Sequence, residues 1–369
     1  MEKMQKNTPA LVLDAGRFKS LLEEYKKLGT VYYPVKSNSS AEIIALLREA
    51  GCGFLVSCAY YLDKLLSLGL APEHILYDNC GADTEEIAYA ARAGLTFFYT
   101  DSEEHFAETA LHCPEARFLI KVSSDFATKK RGKYGIADFS PLAEKISNCG
   151  SLAGLGFYIP DSSFSACTLE KQLDFIFDKK LAPQSSRNRI AGVEMLNIGG
   201  SLKGILTDQQ QQSLLSTYKE RGLFKRVLLE PGRNLLNPCI SMETRVIKRR
   251  TLNGENRLHL DASIYSGLMD IYIENKCLSI KANFSEAPHD TPYLVYGKTP
   301  DSADFLGEHR LPTGICEGDT LSIAECGAYC WDMPQMYSGA APLAMRYALM
   351  GLRNQCQQVK KDIAQKPEV

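Results

Sequence analysis

A lysine, a glycine pair and a glutamate-to-arginine turn carry most of the chemistry this sequence offers. Residues 31–38 read VYYPVKSN, so Lys36 follows a run of strand formers and precedes two turn formers. Such a lysine is ordinarily the first solvated residue past a strand. Its amine can also form a Schiff base, provided desolvation and neighbours lower its pKa. Gly199 and Gly200, followed by Ser201, let backbone N–H groups approach an anion closely. In EPGR (230–233), Glu230 is a carboxylate able to hold a proton on a ring nitrogen, and Arg233 is a charged fork suited to phosphate. Each motif alone is weak, since a Gly-Gly pair is more often a plain turn and EPGR can be a strand end with a surface arginine.

The elements that must position these groups recur along the chain. Short β-branched or aromatic runs stand at 30–36, 53–57, 74–79, 96–101, 117–123, 152–159, 192–200 and 226–233. Helix-period segments such as AEIIALLREAG, DTEEIAYAARAG, SPLAEKISNCG and DQQQQSLLSTYKERG lie between them, several ending in glycine. Alternating strands and helices imply a parallel sheet. Eight such units in roughly 200 residues point to an α/β fold of the closed (β/α)8, TIM-type kind. An open doubly wound sheet is the competitor, but no G-x-G-x-x-G follows the first strand. Beyond residue 240 the segments ISMETRVIKRRT, NRLHLDAS, TPYLVYGK and DTLSIAECGAYC read as strands with little helix, which predicts a mostly-β domain. PALVLD (9–14) is strand-like and can join it. The expected division is a barrel over 25–238 and a β-rich domain built from 1–24 and 239–369.

A barrel places its active site where the strands end. Read off the sequence, those ends carry Lys36, Ser57 and Cys58, Asn79, Asp101, Ser123, Tyr158, Gly199 and Gly200, Glu230 and Arg233. An amine, an anion cradle with an arginine, and a carboxylate for a ring nitrogen then meet at strands one, seven and eight. Pyridoxal 5'-phosphate, as aldehyde, phosphate and pyridine, uses all three.

Composition limits the alternatives. With 369 residues, 45% hydrophobic and 23% charged, the chain reads as an ordinary globular protein of two domains. A net charge of −2 implies no basic face for nucleic acid. No apolar run reaches membrane-spanning length and the N-terminus lacks a signal-peptide stretch. The 12 cysteines are scattered without Cys-x-x-Cys spacing, so no metal site is expected and the thiols read as reduced, in the cytoplasm.

At this level of detail the chain resembles the fold-type III pyridoxal-phosphate decarboxylases, the ornithine/diaminopimelate/arginine decarboxylase group, from about residue 8 to 345. YYPVKSN is similar to that group's Schiff-base lysine motif, YTDSEEH to its T-x-D-S segment, KYG (133–135) to its K-F-G, and NIGGS to its glycine-rich phosphate loop. EPGR, GKTPDSADF (297–305), EGDTLSIAECGAY (317–329) and MYSG (336–339) complete the series. The resemblance implies that Lys36 anchors the cofactor, that Glu230 keeps the pyridine nitrogen protonated, and that Gly199, Gly200, Ser201, Arg233 and Tyr329 surround the phosphate. It also implies a head-to-tail homodimer with shared active sites, to which Asp301 and Tyr329 of the β-rich domain contribute, and decarboxylation of an amino acid or an amino-acid-derived intermediate.

The departures are informative. Tyr158 stands where the group usually has a histidine stacked on the cofactor ring; tyrosine stacks without adding charge. Asp161 replaces a serine expected near the phosphate, so it points away or is protonated. Pro300 replaces a cysteine that delivers a proton, and Leu55 and Tyr61 replace acidic residues. Lys281 aligns loosely with an aspartate that meets a distal amine, which would make the substrate's far end acidic or neutral. A racemase on the same fold favours an arginine at the pyridine nitrogen, which Glu230 opposes. A catalytically weak homologue that acts by binding a partner is the second rival. The substrate, whether from polyamine, siderophore or other amino-acid metabolism, is not readable.

Overall fold

The computed structural model describes residues 8–177, 193–202, 204–273, 276–282, 290–339 and 344–348. The chain divides into two compact units, one spanning Leu22–Asn234 and the other combining Met1–Leu21 with Leu235–Val369.

After β1 (Ala10–Asp14), the first unit contains β2 (Thr30–Pro34), β3 (Gly53–Val56), β4 (Ile75–Tyr77), β5 (Phe97–Thr100), β6 (Arg117–Lys121), β7 (Leu152–Gly156), β8 (Met195–Asn197) and β9 (Arg226–Leu229). These eight close into a barrel in chain order, each parallel to the next. Closure pairs the first strand with the last: Thr30 sits opposite Leu228 and Val31 opposite Leu229. The open-sheet alternative is thereby excluded. Side chains of Leu55, Leu76, Tyr99, Leu119, Ala153, Met195 and Leu228 form a buried core cluster within this sheet, as the packed interior of such a barrel requires. Burying each of the leucines contributes roughly 1.5–3 kcal/mol. Gly154 is needed where it stands, because a Cβ there would lie 2.0 Å from the Met195 carbonyl oxygen of the neighbouring strand.

Three of the barrel helices start where a side chain satisfies their free N–H groups. Asp83 accepts from Glu86 N at the start of the helix Thr84–Arg92, Ser102 from His105 N at Glu103–His112, and Asp208 from Gln210 N and Gln211 N at Gln209–Glu220. The strands are shorter than their apolar runs. The expected strand 74–79 ends at Tyr77 and the expected strand 117–123 ends at Lys121. Lys121 therefore closes its strand and Asp78 directly follows its own, in place of Ser123 and Asn79.

In the second unit, β1 pairs antiparallel with β10 (Ile240–Leu252) and parallel with β16 (Ala344–Ala348), so the N-terminal strand does join the β sheet. The sheet runs β12 (Ile280–Ala282), β15 (Thr320–Ile323), β10, β11 (Glu255–Leu260), β13 (Thr291–Tyr296), β14 (Phe305–Leu311). Ile240, Met242, Thr244 and Val246 are buried on alternate positions of β10, the period of a strand with one face on a core. Among the described residues, no helix is long and apolar enough to cross a membrane.

Candidate active site

The segments that follow the barrel strands hold Lys36, Tyr158, the glycine pair and the EPGR turn. β2 leads into a 3-10 turn, Val35–Ser37, in which Val35 and Ser37 are buried and Lys36 is exposed. The turn is braced from below: Asn38 N donates to Val35 O at 3.2 Å and Tyr33 Oη donates to Asn38 O at 2.9 Å. A lysine displayed on a fixed backbone is what a covalent anchor requires. Because β2 and β9 are neighbours, the EPGR turn lies against it, and a Cβ on Gly232 would fall 2.6 Å from Ser37 Oγ.

The glycine pair is not a plain turn. Gly199 has φ +74°, and a Cβ on it would lie 2.8 Å from Phe157 O. A Cβ on Gly200 would lie 2.2 Å from the carbonyl oxygen of Glu230. Both positions exclude any side chain, and the second does so because the loop packs on the Glu230 backbone. Glu230 N donates to Gly199 O at 2.9 Å. Gly199 N donates to Asn197 Oδ1 at 2.9 Å, whereas the N–H groups of Gly200 and Ser201 meet no acceptor among the described residues. Two adjacent unbonded donors in a loop that admits no Cβ leave room for an anion to approach the backbone. Ser201 is buried, and Arg233 is the first residue of the short helix Arg233–Leu236. Tyr158, after β7, is half exposed, and its Cδ2 atom lies 3.5 Å from where a Gly199 Cβ would be. Asp161 starts a 3-10 turn close by in sequence, and its Oδ1 atom is buried with no hydrogen-bond partner.

Glu230 has one oxygen tied down and one available. Asn197 Nδ2 donates to Oε1 at 2.7 Å and Tyr99 Oη to the same atom at 3.4 Å. Oε2 accepts no hydrogen bond among the described residues. Burial, reinforced by the Asp78 charge, pushes the Glu230 carboxyl up to about 7, against Lys121, Asn197 and Lys36, which draw it down. That Lys36 acts on Glu230 at all places the amine and the carboxylate in one electrostatic neighbourhood.

Four contributors escaped the sequence reading: Asn197, Tyr99, Asp78 and Lys121. Lys121 forms an ion pair with Asp78, both side chains being largely buried. Its Nζ stands 4.6 Å from the centre of the Tyr99 ring. Burial opposes the Lys121 charge, but Asp78 and Glu230 outweigh it and raise the pKa. The signal was present in the sequence, since FLIK ends an apolar run on a lysine just as YYPVK does.

Asp301 and Tyr329 belong to the second unit. Asp301 Oδ1 accepts from Ala303 N at 2.9 Å and Oδ2 from Tyr265 Oη at 2.7 Å. The Ala303 N–H, with the Tyr265 and Tyr337 hydroxyls, holds the Asp301 carboxyl below its ordinary range. Tyr329 is at φ +66°, a conformation a non-glycine residue rarely adopts. It follows Gly327, where a Cβ would lie 2.3 Å from Leu236 O, and Ala328, whose N–H donates to Asn237 Oδ1 at 2.8 Å. Pro300 and Lys281 are exposed. No cluster of metal-ligating side chains occurs among the described residues.

Residues 15–236 match the family model described as pyridoxal-dependent decarboxylase, pyridoxal binding domain. The chain belongs to the pyridoxal-dependent decarboxylase family. Its curated relatives include ornithine decarboxylase of Schizosaccharomyces pombe, 26% identical over 352 residues that cover 88% of this chain and 79% of that protein. They also include antizyme inhibitor 2 of Xenopus laevis, 23% identical over 86% of this chain and 75% of the relative. The arginine decarboxylase of Paramecium bursaria Chlorella virus, solved with agmatine, superimposes with a TM-score of 0.79 at 17% identity over 92% of this chain and 96% of that one. Pyridoxal phosphate, the cofactor of the family, fits what the barrel offers: an exposed amine, two adjacent N–H donors unbonded among the described residues, and a carboxylate oxygen that accepts no hydrogen bond among them.

Proposed function

We propose that the protein removes the α-carboxylate of an amino acid, or of an intermediate derived from one, as CO2, using pyridoxal phosphate bound in the barrel. The observation that carries this reading is the Glu230 carboxyl, fixed through Oε1 by Asn197 and left open at Oε2. When bound, the cofactor supplies an electron sink for the pair left on Cα as CO2 departs. Lys36 would hold the cofactor's aldehyde until the substrate amine takes its place. Glu230 Oε2 holds the proton on the ring nitrogen and so stabilises the charge that develops there. Gly200 N, Ser201 N and Arg233 would hold the phosphate, and Tyr158 would stack on the ring. Pro300 has no proton to give, so the one that replaces CO2 on Cα comes from another group.

The open carboxylate favours decarboxylation over racemisation, because a protonated ring nitrogen strengthens the sink where a racemase weakens it. Leu55, where the resemblance expects an acid, is buried in the barrel core, and the exposed Lys281, in the place of an aspartate that meets a distal amine, supports a substrate whose far end is acidic or neutral. We further propose a homodimer in which Asp301 and Tyr329 of the β-rich segments complete shared sites. A cytoplasmic setting fits the cysteines of the described residues, which are all free thiols.

Purified protein is expected to take up pyridoxal phosphate, and borohydride to fix it to Lys36. A panel of amino acids with amine, neutral and carboxylate far ends is then assayed for CO2. Interconversion of enantiomers without CO2 release would replace this reading with the racemase. Cofactor uptake with neither activity would favour a binding role.

A further inference from the structure

Two buried carboxylates share the end of the barrel: Asp78, just after β4, and Glu230, just after β9. Like charges in one desolvated site cannot both stay ionised without a compensating cation. The groups that bear electrostatically on Glu230 are Asp78, Lys121, Lys36 and Tyr99, with Asn197 as its hydrogen-bond donor, and Cys80 adds to the surroundings of Tyr99 and Lys121. Only Lys36 and Lys121 are cationic. Lys36 is the amine assigned to the cofactor, so Lys121 is the one whose charge stays available throughout.

Lys121 is built into its place. Asp78 binds its ammonium, the Tyr99 ring lies beneath it, and the Tyr134 ring stands 5.9 Å away. Tyr99 joins the two halves of the cluster, because its hydroxyl donates to Glu230 while its ring face meets Lys121. Among the described residues no direct hydrogen bond joins Lys121 to Glu230, so the lysine acts on the carboxylate through space. Extending the function proposed above, on which this rests, we propose that Lys121 is a positioning residue for Glu230: anchored by Asp78 over the Tyr99 ring, it is the fixed counter-charge that keeps the Glu230 carboxylate ionised toward the cofactor's ring nitrogen. Asp78 then has two opposed effects, holding the cation in place and repelling Glu230 directly.

This arrangement has a signature that a merely structural ion pair lacks. The holoenzyme, reconstituted with pyridoxal phosphate, is titrated across the neutral pH range by its visible absorption, and the part of the titration lost in Glu230→Gln is assigned to Glu230. Lys121→Met is expected to move that midpoint up by about one pH unit and to weaken cofactor retention at neutral pH about tenfold. Asp78→Asn is expected to move it down by about one pH unit. Since Lys121→Met strands a buried carboxylate and can unfold the barrel, the double variant Asp78→Asn/Lys121→Met is measured as well. It should melt close to the wild-type temperature, with its midpoint between those of the single variants. Midpoints that move in the same direction in both single variants, or that do not move in a folded Asp78→Asn protein, would overturn the role of Lys121 while leaving the decarboxylase reading intact. A protein that takes up no cofactor would overturn both.

Discussion

Two carboxylates predicted to serve the same chemistry sit in opposite environments. Glu230 stands at the end of a barrel strand with one oxygen bound and burial as its dominant influence, which carries it up to about 7. Asp301 stands in a turn of the β-rich unit, with a backbone N–H and two tyrosine hydroxyls aimed at it, and is held below its ordinary range. The second is a carboxylate already satisfied by the protein. The first is incomplete, and what it lacks is a positive or protonated partner. Depth and donors act together here: burial with a single close donor leaves Glu230 open for a ligand, whereas donors gathered around a carboxylate nearer solvent finish Asp301 as part of the fold.

Substitutions can sharpen that contrast. The largest effect is expected at the group that faces Glu230: Lys36→Ala should abolish borohydride-stable cofactor attachment and lower kcat/KM for CO2 release by at least about a thousandfold. Glu230→Gln keeps the shape and the Asn197 contact while removing the charge, and should lower kcat about a hundredfold or more, read by steady-state assay. The same variant reports on stability without cofactor. A carboxyl whose pKa is raised on folding costs nothing below its unfolded value, costs more as pH rises toward its folded value, and a constant amount beyond. Between the ordinary 4.5 and about 7, wild-type apoprotein should therefore lose up to about 3 kcal/mol relative to Glu230→Gln, measured by urea unfolding at several pH values.

Gly200→Ala drives a Cβ to within 2.2 Å of the Glu230 carbonyl. It should raise the cofactor dissociation constant at least about tenfold and lower the melting temperature, since a backbone must move to admit it. The smallest effect is expected on the finished carboxylate. Tyr265→Phe removes one of the Asp301 donors, should cost about fivefold in kcat/KM, and should shift the acid limb of its pH profile upward. If Tyr265→Phe proved as damaging as Glu230→Gln, the distinction between the two carboxylates would not stand.

The barrel was legible because eight apolar runs alternate with helix-period segments, several of which end in glycine. Lys36, the glycine pair and EPGR were legible because each breaks its local pattern. Asn197, Tyr99, Asp78 and Lys121 were not singled out. Asn197 and Tyr99 lie inside apolar runs, where position on the inner face is set only by closure. Asp78 and Lys121 were passed over because their strands end earlier than the apolar runs suggest, which shifts the mouth of the barrel toward the N-terminus of each run. Their pairing also joins two strands that are not neighbours in the barrel, so no local spacing announces it.

The contact between the first and last barrel strands has a consequence for how the protein is made. The turn bearing Lys36 meets the turn bearing Glu230 only when β2 finds β9, the pairing that spans the most intervening chain in the barrel. Long-range closures of this kind come late in folding. A refolding or newly synthesised chain should therefore regain most of its circular dichroism before it can hold pyridoxal phosphate, so that capture of the cofactor marks the end of folding for the barrel.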